Sequence, residues 1–365
     1  MKHLILFGAL GPLLHAHHSA APHFDLEKTI SLDATVTKFE FVNPHGYVYF
    51  TAPNPAGKPT QWRCELAART SLERLGWTSA VFPVGRKITI KGSPARREDN
   101  VCMLSSFIGE DGREIARNED ISKGANPLAK LAGKNDLSAR PAKLANGQPN
   151  LEGFWLGQGG PGGGGPNGKG KAKAGKGKGD GKGKGGPGGV EATPAGEIAA
   201  KGYDQRFDDP AIRCNPANII FGWTHDRHVN EIRQKKDEVI LTYGYMDFVR
   251  NVHLNAPEHP KKITPSTGGH SIGKWEGDVL AVDTIGFKPS VLIPITGLMH
   301  SDQMHIVERF SVDTTATLTR EYRVEDPLYL KSAYAGRDVM KVSDESHVPY
   351  KCVELSGKNN IRPKQ

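Results

Sequence analysis

The chain has 365 residues, enough for two domains of ordinary size, and its 37% hydrophobic content suits a folded protein. Its net charge is +8, but seven lysines between 169 and 184, opposed by Asp180, account for +6 of it and leave +2 for the rest. The folded parts are therefore near neutral, which argues against a basic nucleic-acid-binding domain, and no apolar run approaches the ~18 residues of a membrane-spanning helix.

Residues 1–16 read as a secretory signal peptide. Lys2 gives the positive start, 4–14 the apolar segment, and Leu14-His15-Ala16 the cleavage site. Export places the mature protein in a bacterial periplasm or outside the cell, where cysteines pair. Cleavage also leaves His17 at the new N-terminus, followed by His18.

The pattern over 17–116 predicts a small barrel. Strands are expected at 30–42, 47–51, 61–66, 86–91 and 101–108. A helix sits between the third and fourth. Thr70-Ser71-Leu72-Glu73 fits a capping box, and Gly76 stands where the helix should stop. This order is that of an OB-like five-stranded barrel, with Leu72 and Leu75 facing its core; a five-stranded barrel of another topology is the alternative.

Residues 117–149 are polar and aperiodic, a linker with a helical turn near Leu128. The second domain, 150–357, is interrupted at 158–189 by a Gly/Lys-rich stretch whose composition cannot bury a core and is expected to be disordered. That stretch is either a basic tether for anionic material or a loop expansion without a role. A short helix is expected at 194–203. Strands follow at 229–234, 238–245, 248–254, 270–275, 278–287, 305–312, 316–324, 331–342 and 350–355. The breaks between several are only two residues long, which predicts an antiparallel meander closing into a barrel, or a sandwich. A tail occupies 358–365.

Four cysteines with no C-x-x-C spacing argue against a zinc finger. Pairing Cys64 with Cys102 and Cys214 with Cys352 closes each bridge inside one domain; buried free thiols are the alternative.

AHHS at 16–19, TVTKFEFVNPHGYVYF at 35–50 and the W-x-x-E-L…L-x-x-x-G-W run from Trp62 to Trp77 resemble an uncharacterised family of exported bacterial proteins. LEGFW, DDPAIRCNP, GHSIGKWEGDVLAVDTIGF and HSDQMHIVERF resemble a companion region of such proteins. Gly153-Phe154-Trp155 is similar to the G-x-W that opens lipocalin-like barrels. The resemblance implies export and a mainly β architecture, an OB-like barrel followed by a lipocalin-like antiparallel barrel. It implies no reaction.

Four kinds of chemistry are open to these residues. A free N-terminal His17 would bring two nitrogens to Cu(II), with a third from His18, His23 or His45, as in a histidine brace. A terminus that does nothing is the plain alternative. Gly269-His270-Ser271-Ile272-Gly273 matches a nucleophile elbow, with Asp302 and His305 following in hydrolase order, but the strand-then-helix context is missing. His225, His228, His253, His270, His300 and His305 form no compact ligand motif, and His305 and Glu308 should face opposite sides of one strand. A small-ligand site inside the second barrel would be lined by Trp155, Tyr243, Tyr245, Phe248 and Trp275, with His270 beside them. Nucleic acid is not expected, because Tyr47 and Tyr49 alternate with Val48 and Phe50 without lysine. The leading expectation is non-catalytic binding of a small ligand, a metal or an envelope component. Copper at His17 and a serine hydrolase at Ser271 are the alternatives.

Overall fold

A computed structural model describes residues 20–54, 57–122, 140–157, 190–225, 228–314, 316–355 and 360–362. The signal-peptide segment, His17, His18, the turn near Leu128 and the Gly/Lys stretch 158–189 lie outside the described residues.

The first barrel is built from β1 (Ile30–Glu40), β2 (Tyr47–Pro53), β3 (Pro59–Glu65), α1 (Arg69–Arg74), β4 (Lys87–Pro94) and β5 (Val101–Ile108), with a short β6 (Glu114–Ala116) added at the edge. The sheet order β3-β2-β1-β4-β5 closes by a parallel β3–β5 pairing. That is the OB arrangement expected from the strand order. Alternation along β2 sends Val48, Phe50 and Ala52 inward, and all three are buried. Leu72 and Leu75 of the helix pack into the same core, as does Trp77.

The helix start differs from the capping-box reading. The N-cap is Ala68, which offers no side-chain acceptor. Instead the Asn43 Oδ1 accepts the Thr70 backbone N–H at 3.2 Å, a cap supplied from 27 residues away. The C-terminal stop holds: Gly76 has φ +81°, and a Cβ there would meet the Ser122 backbone at 2.5 Å.

The second barrel contains β7 (Gly153–Gly157), then α2 (Pro194–Ala200), α3 (Gln205–Asp208) and α4 (Ile219–Thr224). The remaining wall is β8 (Val229–Gln234), β9 (Glu238–Thr242), β10 (Val249–Leu254), β11 (His270–Glu276), β12 (Val279–Ile285), β15 (His305–Val312), β16 (Thr317–Glu325) and β17 (Tyr334–Val342). A small hairpin, β13 (Ser290–Ile293) and β14 (Leu298–His300), stands apart from this wall. Nine strands close in the order β10-β11-β12-β15-β16-β17-β7-β8-β9.

Closure corrects the all-antiparallel expectation at one seam. β10 and β11 pair in parallel, Val252 opposite Ser271. A ring of nine strands cannot alternate direction throughout, so one pair must be parallel. The connection 255–269 is long enough to return the chain to the same end.

One further expectation is corrected. Residues 350–355 form no strand; Cys352 makes only an isolated bridge to Asn43. The described end of the 117–149 segment is tied to the strand that follows it. Arg140 donates to the Asn150 and Glu152 carbonyls at 2.6 and 2.5 Å and lies over the Trp155 ring.

Both disulfides form as paired above, Cys64–Cys102 within the first barrel and Cys214–Cys352 in the second part. The latter holds the segment around 343–355, which docks on the first barrel. Asn43 Nδ2 donates to the Tyr350 carbonyl at 2.6 Å, Val353 N–H to the Asn43 carbonyl at 2.8 Å, and buried Arg74 pairs with Glu345 at 2.6 Å.

Candidate functional site

The second barrel carries a packed hydrophobic core. Trp155, Trp223, Tyr243 and Phe310 are buried, with α4 inserted among them. Trp155 donates its indole N–H to the Leu151 carbonyl at 2.9 Å, a core role rather than a ligand contact. Trp275 packs at the edge of this core, its indole N–H without a partner.

Beside them lies a buried ionic network. Glu308 accepts from Arg250, and also from Arg320 at 3.4 Å. Arg320 reaches Asp338 at 2.6 Å and donates to the Ile219 and Ile220 carbonyls of α4. Arg250 donates to Ser271 and Thr284 at 2.8 Å and to the Tyr243 hydroxyl at 3.3 Å. Two cations face two carboxylates, so the network is neutral as a whole. Burial pushes the Asp338 carboxyl up despite the Arg320 guanidinium beside it.

This geometry corrects the nucleophile-elbow reading. Ser271 is buried, and its hydroxyl is committed to Arg250 and Thr284. His305 lies on the outer face of the wall, bound to Asp283, while Asp302 is exposed. Strand alternation separates the serine from this histidine, so no triad is assembled.

His270 is also corrected: it lies outside the barrel and does not line the interior with Trp155, Tyr243 and Trp275. It joins an outer-face cluster. His259 Nδ1 is 2.9 Å from His270 Nδ1, and His259 Nε2 is 2.8 Å from Asp283 Oδ1. His305 Nε2 meets the other oxygen of Asp283 at 2.7 Å. His253 stacks on His270, with ring centroids 5.1 Å apart and planes at 22°. His259 had no place among the candidates from sequence. Its one signal is the proline-flanked segment Pro257-Glu258-His259-Pro260 in the long connection, a stiff run that fixes where the ring lands. The histidines His225, His228 and His300 are buried elements of packing, against Phe221, Tyr350 and Phe287 respectively.

A second assembly lies at the start of the described chain. Residues 20–24 form a turn in which the His23 and Phe24 N–H groups donate to the Ala20 carbonyl. Arg96 fastens that turn through the Ala21 and Phe24 carbonyls, and Phe24 is buried. The chain is therefore anchored from Ala20 onward, while the terminus at His17 lies outside the described residues. Beside the turn, His45 Nδ1 lies 3.1 Å from Glu65 Oε1 and 3.3 Å from the Leu66 carbonyl. Tyr47 donates to the other Glu65 oxygen at 3.2 Å. Burial pushes the His23 imidazole below its ordinary value; Glu65 opposes this and His45 adds to it. Arg206 and Asp204, at the start of α3, act on the same ring. The His23 ring thus lies within electrostatic reach of the His45–Glu65 pair, at a corner that Asp204 and Arg206 also reach. Among the described residues, no group of three or more His, Cys, Asp or Glu side chains is placed so that it could hold a metal ion.

Residues 9–103 match the model of a family of unknown function, DUF6152. The match spans the first barrel up to β5, about a quarter of the chain. It includes the His23, His45 and Glu65 corner. No curated protein and no solved structure matches the chain. No helix among the described residues is long and apolar enough to cross a membrane.

Proposed function

We propose that this is an exported, non-catalytic metal-binding protein whose first barrel takes Cu(II) at the His23/His45/Glu65 corner. After removal of 1–16, the α-amine and imidazole of His17 supply two nitrogens, and His45, His23 or His18 supplies the next. The observation that carries this is the anchored turn 20–24, which starts the described chain beside His45 and Glu65. His17 lies three residues before Ala20, within about 10 Å of extended chain. A carboxylate and a carbonyl on His45 Nδ1 are the kind of outer partners that hold an imidazole ligand in orientation. Amine and imidazole nitrogens are the donor set that Cu(II) prefers. Two disulfides accord with export.

The test uses protein exported and matured in a bacterial host. Mass spectrometry should give His17 as the first residue. Cu(II) titration should show a tight site that depends on His17, with nitrogen hyperfine structure in its paramagnetic resonance spectrum. His17→Ala and His45→Ala should each weaken it by at least ~10-fold. Retention of 1–16, or a titration unchanged by His17→Ala, refutes the reading.

A further inference from the structure

We propose a second, separate metal site: His253 and His270, on the outer wall of the second barrel, capture a divalent transition-metal ion of the zinc–copper class. Asp283 and His259 act as its positioning residues.

The strand register makes the pair. Parallel pairing sets His253 opposite Ile272, so His253 and His270 lie diagonally across adjacent strands on the outer face. Their rings are already stacked at 5.1 Å. To share one ion at about 2.0–2.1 Å each, the two rings would have to turn out of this stack so that one nitrogen of each converges, and exposed His253 on the outer face has room to do so.

The hydrogen bonds set the protonation that a ligand needs. An ionised Asp283 can only accept, so His259 and His305 donate their Nε2–H groups to its two oxygens. A neutral His259 then carries no proton on Nδ1, and that atom accepts. In that tautomer His270 donates across the 2.9 Å contact between the two Nδ1 atoms. With its proton on Nδ1, His270 presents an unprotonated Nε2. Asp283, His259 and His270 form a chain that holds one tautomer at its end, as carboxylate–histidine pairs do behind bound metals. Asp283 gives the patch a negative partner, which suits a cation and opposes an anion.

The site is an open two-imidazole chelate. His253 is exposed, so water would complete the coordination of a bound ion. Ions that accept imidazole readily, Zn(II) and Cu(II), are its class, whereas Mg(II) and Ca(II) are not.

The experiment titrates Zn(II) alone into the full mature chain by calorimetry at pH 7.5, using wild type, His253→Ala, His270→Gln, Asp283→Asn and His17→Ala. His253→Ala and His270→Gln should each remove one site or weaken it at least ~10-fold, and Asp283→Asn should weaken it by a smaller factor. His17→Ala should leave this site intact, so the two metal readings fail separately. In wild type the affinity should fall as pH drops below 6.5, as protons compete for the rings. Melting temperatures in chelator report whether each variant folds. The proposal is overturned if folded His253→Ala and His270→Gln bind Zn(II) as wild type does. It is equally overturned if wild type shows no Zn(II) site that survives His17→Ala.

Discussion

Glu308 is the residue whose loss the fold should tolerate least. It is fully buried and sits between Arg250 and Arg320. Glu308→Gln keeps the shape and removes one charge, so the barrel interior goes from neutral to a net charge of +1. Arg320 keeps Asp338 at 2.6 Å. Arg250 keeps only neutral acceptors, the hydroxyls of Ser271, Thr284 and Tyr243. A buried cation stripped of its counter-charge costs about 3–5 kcal/mol. For a unit of this size, each kcal/mol lowers the melting temperature by about 2–4 °C, so a fall of roughly 6–20 °C is expected. The double variant Arg250→Met/Glu308→Leu restores neutrality, because Arg320 and Asp338 still cancel. It should recover most of that loss, since replacing a buried pair by apolar groups is often neutral or better. Thermal melts followed by circular dichroism, with urea unfolding as a check, measure both. A Glu308→Gln protein within about 1 kcal/mol of wild type would refute this account. So would a double variant no better than the single one.

Two further outcomes follow from the same structure. Ser271→Ala removes an acceptor from buried Arg250 and should cost about 1–3 kcal/mol in urea unfolding, while a serine-reactive probe should label neither form; covalent labelling of wild type at Ser271 would reverse the assignment. His23, His270 and His300 are all pushed below the ordinary 6.5 by burial first, so the unfolded chain binds more protons than the fold as pH drops below that value. Stability is then fully present above 6.5 and declines as pH falls through it. The urea midpoint of metal-free protein should drop between pH 7 and 5, and a flat or rising profile would contradict the burial argument.

Much of the architecture is written locally. Short runs bounded by tight turns mark β8 and β15 at the residues where they occur, and the order of strands and helix in the first barrel implies its OB closure. The spacing of four cysteines within two units gives both disulfides. These are near-neighbour signals, carried by residues that share one strand, one turn or one unit.

What the linear pattern does not carry is pairing across distance. The parallel seam between β10 and β11 depends on how an odd-numbered ring closes, and only that seam brings His253 beside His270. The Asn43 cap on α1 and the insertion of α4 depend on contacts between remote segments. Arg250, Glu308 and Arg320 read as surface residues in a sequence; neutral mutual pairing is what lets them be buried. Sequence alone identified the two barrels and their bridges. The tertiary structure decided which face each functional side chain occupies, because strand alternation fixes two faces and only closure says which one is inside.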